Sequence, residues 1–380
     1  MVKAMSSKIL SILHICNLVE DIANGLFQAI PGHIKEQLKY ANVALINLED
    51  YRFSIGNALS FSNKDIQKYS FTRLIEQIGN PDIVIFHGIY SIKMLFLWWR
   101  YVKNTTPYIF VPHGSLTQCA QNKGRYKKIL FNFLIVNAFC RNALAIQFLS
   151  EGEKKSSRRF IYNNKYIICP NGINMPKISK LHRVSELHGK NKKEQNSINI
   201  VFIGRYDIFY KGLDLLLEAI YLEKEKLIAS HVSVTLYGDK HKNNYDDVEA
   251  MVKSYKISDI VTCNGIIFGT EKERVLLDCD YFIQTSRSEG LPGGLIEAMS
   301  YGIPVLITKG TNLTDVVTKY KNGYIAETSV EGIRKLLNFV IDKDYDSYKE
   351  MVRMSIKAAI TYELMINLLY LIFLFQRIVS

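Results

Sequence analysis

Ile198-Asn-Ile-Val-Phe-Ile-Gly-Arg-Tyr-Asp-Ile-Phe-Tyr-Lys-Gly-Leu-Asp-Leu-Leu-Leu-Glu-Ala-Ile220 opens the second half of a 380-residue chain. Its apolar run ends at Gly204, an amphipathic helix begins near Leu213, and the loop between them delivers Arg205 and Lys211. A strand that is apolar throughout, without alternation, belongs to a parallel sheet covered on both faces. The same unit recurs downstream at Val232–Tyr237, Ile260–Cys263, Tyr281–Gln284 and Pro304–Ile307. Upstream it recurs at Lys8–Ile15, Val43–Leu48, Ile83–Phe86, Tyr108–Val111, Leu144–Phe148 and Tyr166–Cys169. The length suits about two domains. The expected architecture is therefore α/β, with two Rossmann-like doubly wound domains facing across a cleft. The polar stretch Lys177–Ser197 separates them, so the expected boundaries are 1–180, a linker at 181–197, a second domain at 198–355 and a hydrophobic terminal helix at 356–380.

Composition narrows the class. Apolar residues make up 48% and charged residues 22%, which excludes disordered, collagen-like and polytopic membrane chains. The six cysteines are scattered without a Cys-x-x-Cys pair, so a reducing cytoplasm is expected. His14, Asn17, Glu20 and Asp21 interrupt the first apolar stretch, which reads as a strand and not as a signal peptide. Residues 1–190 hold 25 Lys+Arg against 11 Asp+Glu, while residues 191–380 hold 23 against 25. The first half thus faces an acidic partner, an anionic membrane surface or nucleic acid. Lys123–Phe139 favours the membrane, because basic residues precede a bulky apolar stretch as in interfacial helices, although a buried core helix would show the same pattern. Nucleic acid rests on charge alone and is not expected.

A second loop carries more chemistry. After the strand Asp280–Gln284 come Glu289-Gly-Leu-Pro-Gly-Gly-Leu-Ile-Glu297. Proline and glycines at a helix start leave backbone N–H groups pointing outward, an anion site. Arg205 can make forked hydrogen bonds to such an anion, and Lys211 can act as a point charge. A diphosphate fits that donor set. Taken alone, Glu289 can equally be a helix-dipole partner and Glu297 a solvated helical residue.

Together these motifs resemble glycosyltransferase family 4, retaining enzymes of the GT-B fold, over roughly residues 198–325. The resemblance implies that Glu289 contacts the donor sugar at the reacting carbon and Glu297 the ribose. It implies that Arg205, Lys211 and the backbone of Gly290 and Leu291 hold the diphosphate. In the first half, Asn24-Gly25 with Pro31-Gly-His33 resembles the glycine loop that approaches the donor phosphates, which adds Gly25. Phe110-Val-Pro-His-Gly-Ser115 resembles the loop whose histidine lies near donor sugar or acceptor, which adds His113 as a catalytic candidate. Ser150–Lys154 and Pro170–Ile173 resemble later elements, and the terminal helix would cross back to the first domain. His87, in Phe86-His-Gly88, is a second strand-end candidate, although neither it nor His14 has a supporting motif.

The activity implied is transfer of a hexosyl or N-acetylhexosaminyl group from a nucleotide-sugar donor to a glycan or polyprenyl-linked glycan acceptor in bacterial surface polysaccharide synthesis (O-antigen, capsule or exopolysaccharide). The enzyme would sit at the inner face of the cell membrane as a peripheral protein. No cofactor is expected, and no metal is required where fixed cations carry the diphosphate. Asp278-Cys-Asp280 spells a metal-binding triplet of other glycosyltransferases, but it precedes its strand and lies away from the ligand-binding end. Competing readings are a GT-B epimerase or glycan phosphorylase, and a non-catalytic membrane-docked subunit. Hydrolysis by the two glutamates is weaker, since the resemblance turns them to different parts of the nucleotide.

Overall fold

The computed structural model describes residues 9–20, 25–103, 105–122, 124–157, 165–173, 175–176, 197–239, 244–342 and 344–379, with backbone only for residue 28 and for 364–379. The expected linker at 181–197 lies outside the described residues except for Ser197. Two compact units emerge: one of Met1–Leu149, Ser156–Gly172 and Leu368–Ser380, the other of Ser150–Lys155 and Ile173–Asn367.

The first unit is built on a sheet of β1 (Leu10–Cys16), β2 (Ala41–Asn47), β3 (Leu59–Phe61), β4 (Ile83–His87), β5 (Tyr108–Val111), β6 (Ala145–Phe148) and β7 (Tyr166–Ile168). The order is β3-β2-β1-β4-β5-β6-β7, every pairing parallel. Its core includes Leu13, Ile15, Phe86, Phe110, Phe139 and Phe148. The order reverses at β1/β4, so these two strands flank the crevice where open α/β sheets bind ligands.

The second unit holds β8 (Ile198–Ile203), β9 (Val232–Tyr237), β10 (Val261–Asn264), β11 (Tyr281–Gln284), β12 (Val305–Thr308) and β13 (Gly323–Ala326), ordered β10-β9-β8-β11-β12-β13 and all parallel. The strands are apolar throughout because both faces are covered. Ile200 and Phe202 pack into one core with Leu216, Ile220 and Leu337, while Val201 packs into the other with Phe282, Ile296 and Met299. Here the order reverses at β8/β11, and their carboxyl ends carry the Arg205 loop and the Glu289 loop.

The two-sheet α/β expectation is met, and solved structures of this architecture are described below. Four details differ. β3 has only three residues at a sheet edge, too short for a periodic signal. The β8 loop contains a helical turn, Ile208–Lys211, because Asp207 caps it by accepting from the Tyr210 N–H at 2.8 Å. Residues 31–33, expected beside a glycine loop, lie inside the helix Gly25–Gln37. The last helix runs from Tyr345 to Val379, so the expected boundary at 355/356 falls within one continuous element. Among the described residues, no helix is long and apolar enough to cross a membrane.

Two glycines bring the second unit's loops into register. Gly212 has φ +65°, and a Cβ there would stand 2.2 Å from the Thr285 carbonyl oxygen. A Cβ at Gly310 would meet the Ser286 carbonyl oxygen at 2.2 Å. Gly212→Ala is therefore expected to destabilise the second unit by about 2 kcal/mol or more, through overpacking and a left-handed backbone. Urea unfolding checks this; an unchanged midpoint would contradict the packing described.

Candidate functional site

The β8 and β11 loops meet side chain to side chain. Lys211 Nζ lies 2.6 Å from Glu289 Oε1, with both side chains largely buried. The same oxygen accepts from Ser286 Oγ at 2.6 Å and from Gln284 Nε2 at 3.3 Å. Oε2 has no partner among the described residues. The Glu289 backbone is fixed as well: its N–H donates to the Gly310 carbonyl at 3.1 Å, and its carbonyl accepts from the Asn312 side-chain amide. Below it, Arg287 makes a two-pronged bond to Asp214, each arm 2.7 Å, and donates to the Phe209 carbonyl at 2.9 Å. That fork ties the β11 loop to the helix following Lys211 and holds the lysine against the glutamate.

Arg205 leaves β8 half-buried, and its guanidinium has no hydrogen bond or ion pair among the described residues. Lys211 is neutralised by Glu289, so Arg205 is, among the described residues, a cation at this edge without a counter-charge. Glu289 and Glu297 do not share a partner. Glu297 lies in the helix Gly293–Ser300 and pairs with Lys272 of the helix Gly269–Asp278. Gly290 and Leu291 occupy the half-buried turn before that helix. The sheet edge thus presents one uncompensated arginine, an oriented carboxylate oxygen and a helix amino terminus, a set that can hold an anionic group beside hydroxyls. Asp280 is structural: its Oδ2 accepts from the Asn199 N–H at 2.8 Å, fixing the start of β8. Among the described residues no three His, Cys, Asp or Glu side chains are grouped to hold a metal ion.

In the first unit His113 is joined to two histidines that carried no motif. His87 Nδ1 lies 2.9 Å from His113 Nε2, His14 Nδ1 lies 2.9 Å from His87 Nε2, and His14 Nε2 lies 2.7 Å from Gln37 Oε1. The chain crosses the β1/β4 switch point. Burial holds all three rings well below the ordinary imidazole range, His14 at about 4 and His113 at about 3. They are therefore neutral at pH 7, and each has one N–H. Gln37 Oε1 only accepts, so His14 must donate from Nε2. His87 then donates to His14, and His113 donates from Nε2 to His87. This leaves His113 Nδ1 as a buried lone pair without a partner among the described residues. His113 also has φ +50°, a strained conformation for a non-glycine residue, of the kind that clusters at functional sites. Gly25 begins the helix Gly25–Gln37 with open space where a Cβ would stand, and Asn24 lies outside the described residues.

Sequence reasoning missed Ser286, Gln284, Asn312 and Lys272 around the glutamates, and His14 and Gln37 behind His113, while His87 was a strand-end candidate without a motif. The histidines had a weak signal, since His87 ends an apolar strand and His14 lies within one, positions where a polar ring needs a partner.

The neutral histidines set a pH dependence. Their unfolded counterparts protonate below about 6.5 while the folded rings do not, so between pH 6.5 and about 4 the unfolded chain binds more protons and stability falls with pH. For His14 the loss from pH 7 to pH 5 is about 2 kcal/mol. Urea unfolding across that range should show the decline and His14→Asn should lessen it without abolishing it, because His87 and His113 remain; a profile flat in the unsubstituted chain would contradict buried neutral rings.

Residues 184–359 match the family model of Glycosyl transferases group 1. A putative colanic acid biosynthesis glycosyltransferase, WcaL of Escherichia coli K12, is 26% identical over 150 residues, 38% of this chain and 36% of that protein. The chain thus spans little more than a third of that curated relative's length. Sucrose-phosphate synthase from Thermosynechococcus elongatus superposes with a TM-score of 0.76 at 12% identity, covering 97% of this chain and all of that one. HepE of Anabaena in complex with UDP and glucose superposes with a TM-score of 0.70 at 14% identity, covering 96% and 99%. The likeness to these structures shows a fold of two parallel-sheet Rossmann-like domains, GT-B. With the family match and the curated relative, it supports a GT-B glycosyltransferase.

Proposed function

We propose that the chain is a retaining glycosyltransferase of family 4 that moves a hexosyl or N-acetylhexosaminyl group from a uridine-diphosphate sugar to a lipid-linked glycan during bacterial surface polysaccharide synthesis. The observation that carries this reading is the β8/β11 edge, where Arg205, unpaired among the described residues, adjoins a loop system whose lysine and glutamate are already joined. Glu289 has one oxygen bound by Lys211 and Ser286 and the other available to a sugar hydroxyl. HepE, solved with UDP, supports the choice of uridine as the base, and the colanic acid relative supports the polysaccharide context.

In this reading Arg205 and Lys211 take up the negative charge that develops on the diphosphate as the bond from the anomeric carbon to the phosphate oxygen breaks. The N–H groups of Gly290 and Leu291 share that load, and the family resemblance assigns Gly25 to the same diphosphate. Such leaving-group stabilisation is the largest electrostatic contribution available. The acceptor hydroxyl forms the new bond to the same carbon and passes its proton to the departing diphosphate oxygen. His113 Nδ1, a lone pair held by the histidine chain, serves as acceptor for a hydroxyl of donor or acceptor sugar. Glu297 hydrogen-bonds the ribose, with Lys272 setting its carboxylate. No metal is needed where these cations hold the diphosphate. The enzyme works at the cytoplasmic face of the membrane that carries its acceptor.

The test is a mass-spectrometric screen of nucleotide sugars with polyprenyl-linked acceptors. A product heavier by one hexose or N-acetylhexosamine, with release of UDP, is expected; epimerised donor or sugar phosphate would instead favour an epimerase or a phosphorylase. In calorimetry, Arg205→Ala should weaken UDP binding by roughly 10- to 100-fold, the worth of a charge-assisted hydrogen bond. Lys211→Ala should act in the same direction. Glu289→Gln should abolish transfer while UDP affinity stays within a few-fold. Transfer undiminished in Glu289→Gln, or affinity unaltered in Arg205→Ala, would refute these assignments.

A further inference from the structure

Residues 83–150 contain eight Lys and Arg and not one Asp or Glu. This stretch supplies the two connections β4→β5→β6. These strands are adjacent and parallel, so both right-handed crossovers pack on the same face of the first unit's sheet. The connections also touch. Tyr90 donates to Asn132 Oδ1 at 3.0 Å, stacks obliquely on Phe131 and lies under the Lys128 ammonium.

Each connection is apolar on two faces. In the helical stretch 92–102, Met94, Leu95, Trp98 and Val102 are buried in the core. Ile92, Phe96 and Trp99, at helical spacing, project outward and are 80%, 56% and 62% exposed. In the stretch 125–136, Asn132 and Val136 turn inward, while Tyr126, Phe133 and Leu134 are 88%, 75% and 62% exposed. A helix apolar all round requires cover. Around these stripes stand the exposed Lys93, Arg100, Lys103, Arg125 and Lys127, none ion-paired among the described residues. Beside Ile92 and Phe96 the surface sinks into an apolar hollow of about 450 Å³ walled by Ile66, Phe71 and Leu97, with Lys93 in its lining.

We infer that this face is a membrane-docking surface whose occupant is a bilayer containing anionic phospholipid. The apolar stripes enter the acyl boundary, and the arginines and lysines pair with headgroup phosphates. Two weak attractions acting together are what reversible anchoring needs. The unbroken positive sign argues against a second copy of the chain as the occupant, since identical faces would repel. The inference deepens the proposed function and rests on it for its purpose, because a lipid-linked acceptor must be met at the bilayer surface.

The chain has two tryptophans, and Trp98 is 2% exposed, so Trp99 reports on this face. Vesicles of phosphatidylcholine with 30% phosphatidylglycerol should shift Trp99 emission to the blue and co-sediment the protein, whereas pure phosphatidylcholine should bind at least tenfold less. Raising salt should weaken the binding. Phe133→Glu with Leu134→Glu should cut partitioning at least tenfold, with circular dichroism and calorimetric UDP affinity unchanged. Partitioning equal in that variant, or a salt-sensitive dimer in light scattering with no vesicle binding, would overturn the inference. UDP affinity separates the two claims: vesicle binding without UDP binding sinks the proposed function alone, and UDP binding without vesicle binding sinks the docking surface alone.

Discussion

The ion pair between Lys211 and Glu289 is the constraint on which the rest of the second unit's site depends. Joining two largely buried charges costs desolvation that their attraction only partly offsets, so such a pair is weak as a source of stability. The surrounding structure makes the remainder up. Ser286 and Gln284 donate to the same carboxylate oxygen, and the Arg287–Asp214 fork holds the two loops in register. Gly212 and Gly310 let backbone pass backbone where any side chain would intrude. The outcome is a carboxylate with one oxygen committed and one available. On the neighbouring loop stands Arg205, which has no counter-charge among the described residues.

The first unit solves a related problem with neutral groups. Three imidazoles and one carboxamide form a single file across the β1/β4 switch point, and burial keeps them uncharged. Because a neutral ring must donate from one nitrogen and accept at the other, one carboxamide oxygen at the end of the file sets every tautomer along it. His14 and His87 act on His113 by positioning and polarising it, and the strained backbone at His113 is held by the same file. Both units thus place their polar chemistry where strand order reverses, with apolar strands and covering helices as the frame.

Most of the frame was legible because buried parallel strands are continuous apolar runs, and Ile198–Ile203, Val232–Tyr237 and Tyr281–Gln284 begin and end where those runs do. β3 was not, since Leu-Ser-Phe at an edge carries no periodicity. The helical turn Ile208–Lys211 was hidden because its stop signal, Lys-Gly, coincides with the next helix's start. Of the site, the residue types were legible and the pairings were not. Lys211 and Glu289 are 78 positions apart, and His14 and His87 are 73 apart. Only strand order and register bring such residues together, and one sequence does not reveal register. Lys272 was overlooked for the same reason, lying 25 residues before the glutamate it holds.

The most direct test is a crystal structure of the chain with UDP. The account places the diphosphate at the carboxyl ends of β8 and β11, within hydrogen-bond distance of the Arg205 guanidinium and of the N–H groups of Gly290 or Leu291, with the ribose against Glu297. A diphosphate bound elsewhere, with Arg205 still without a partner, would contradict it.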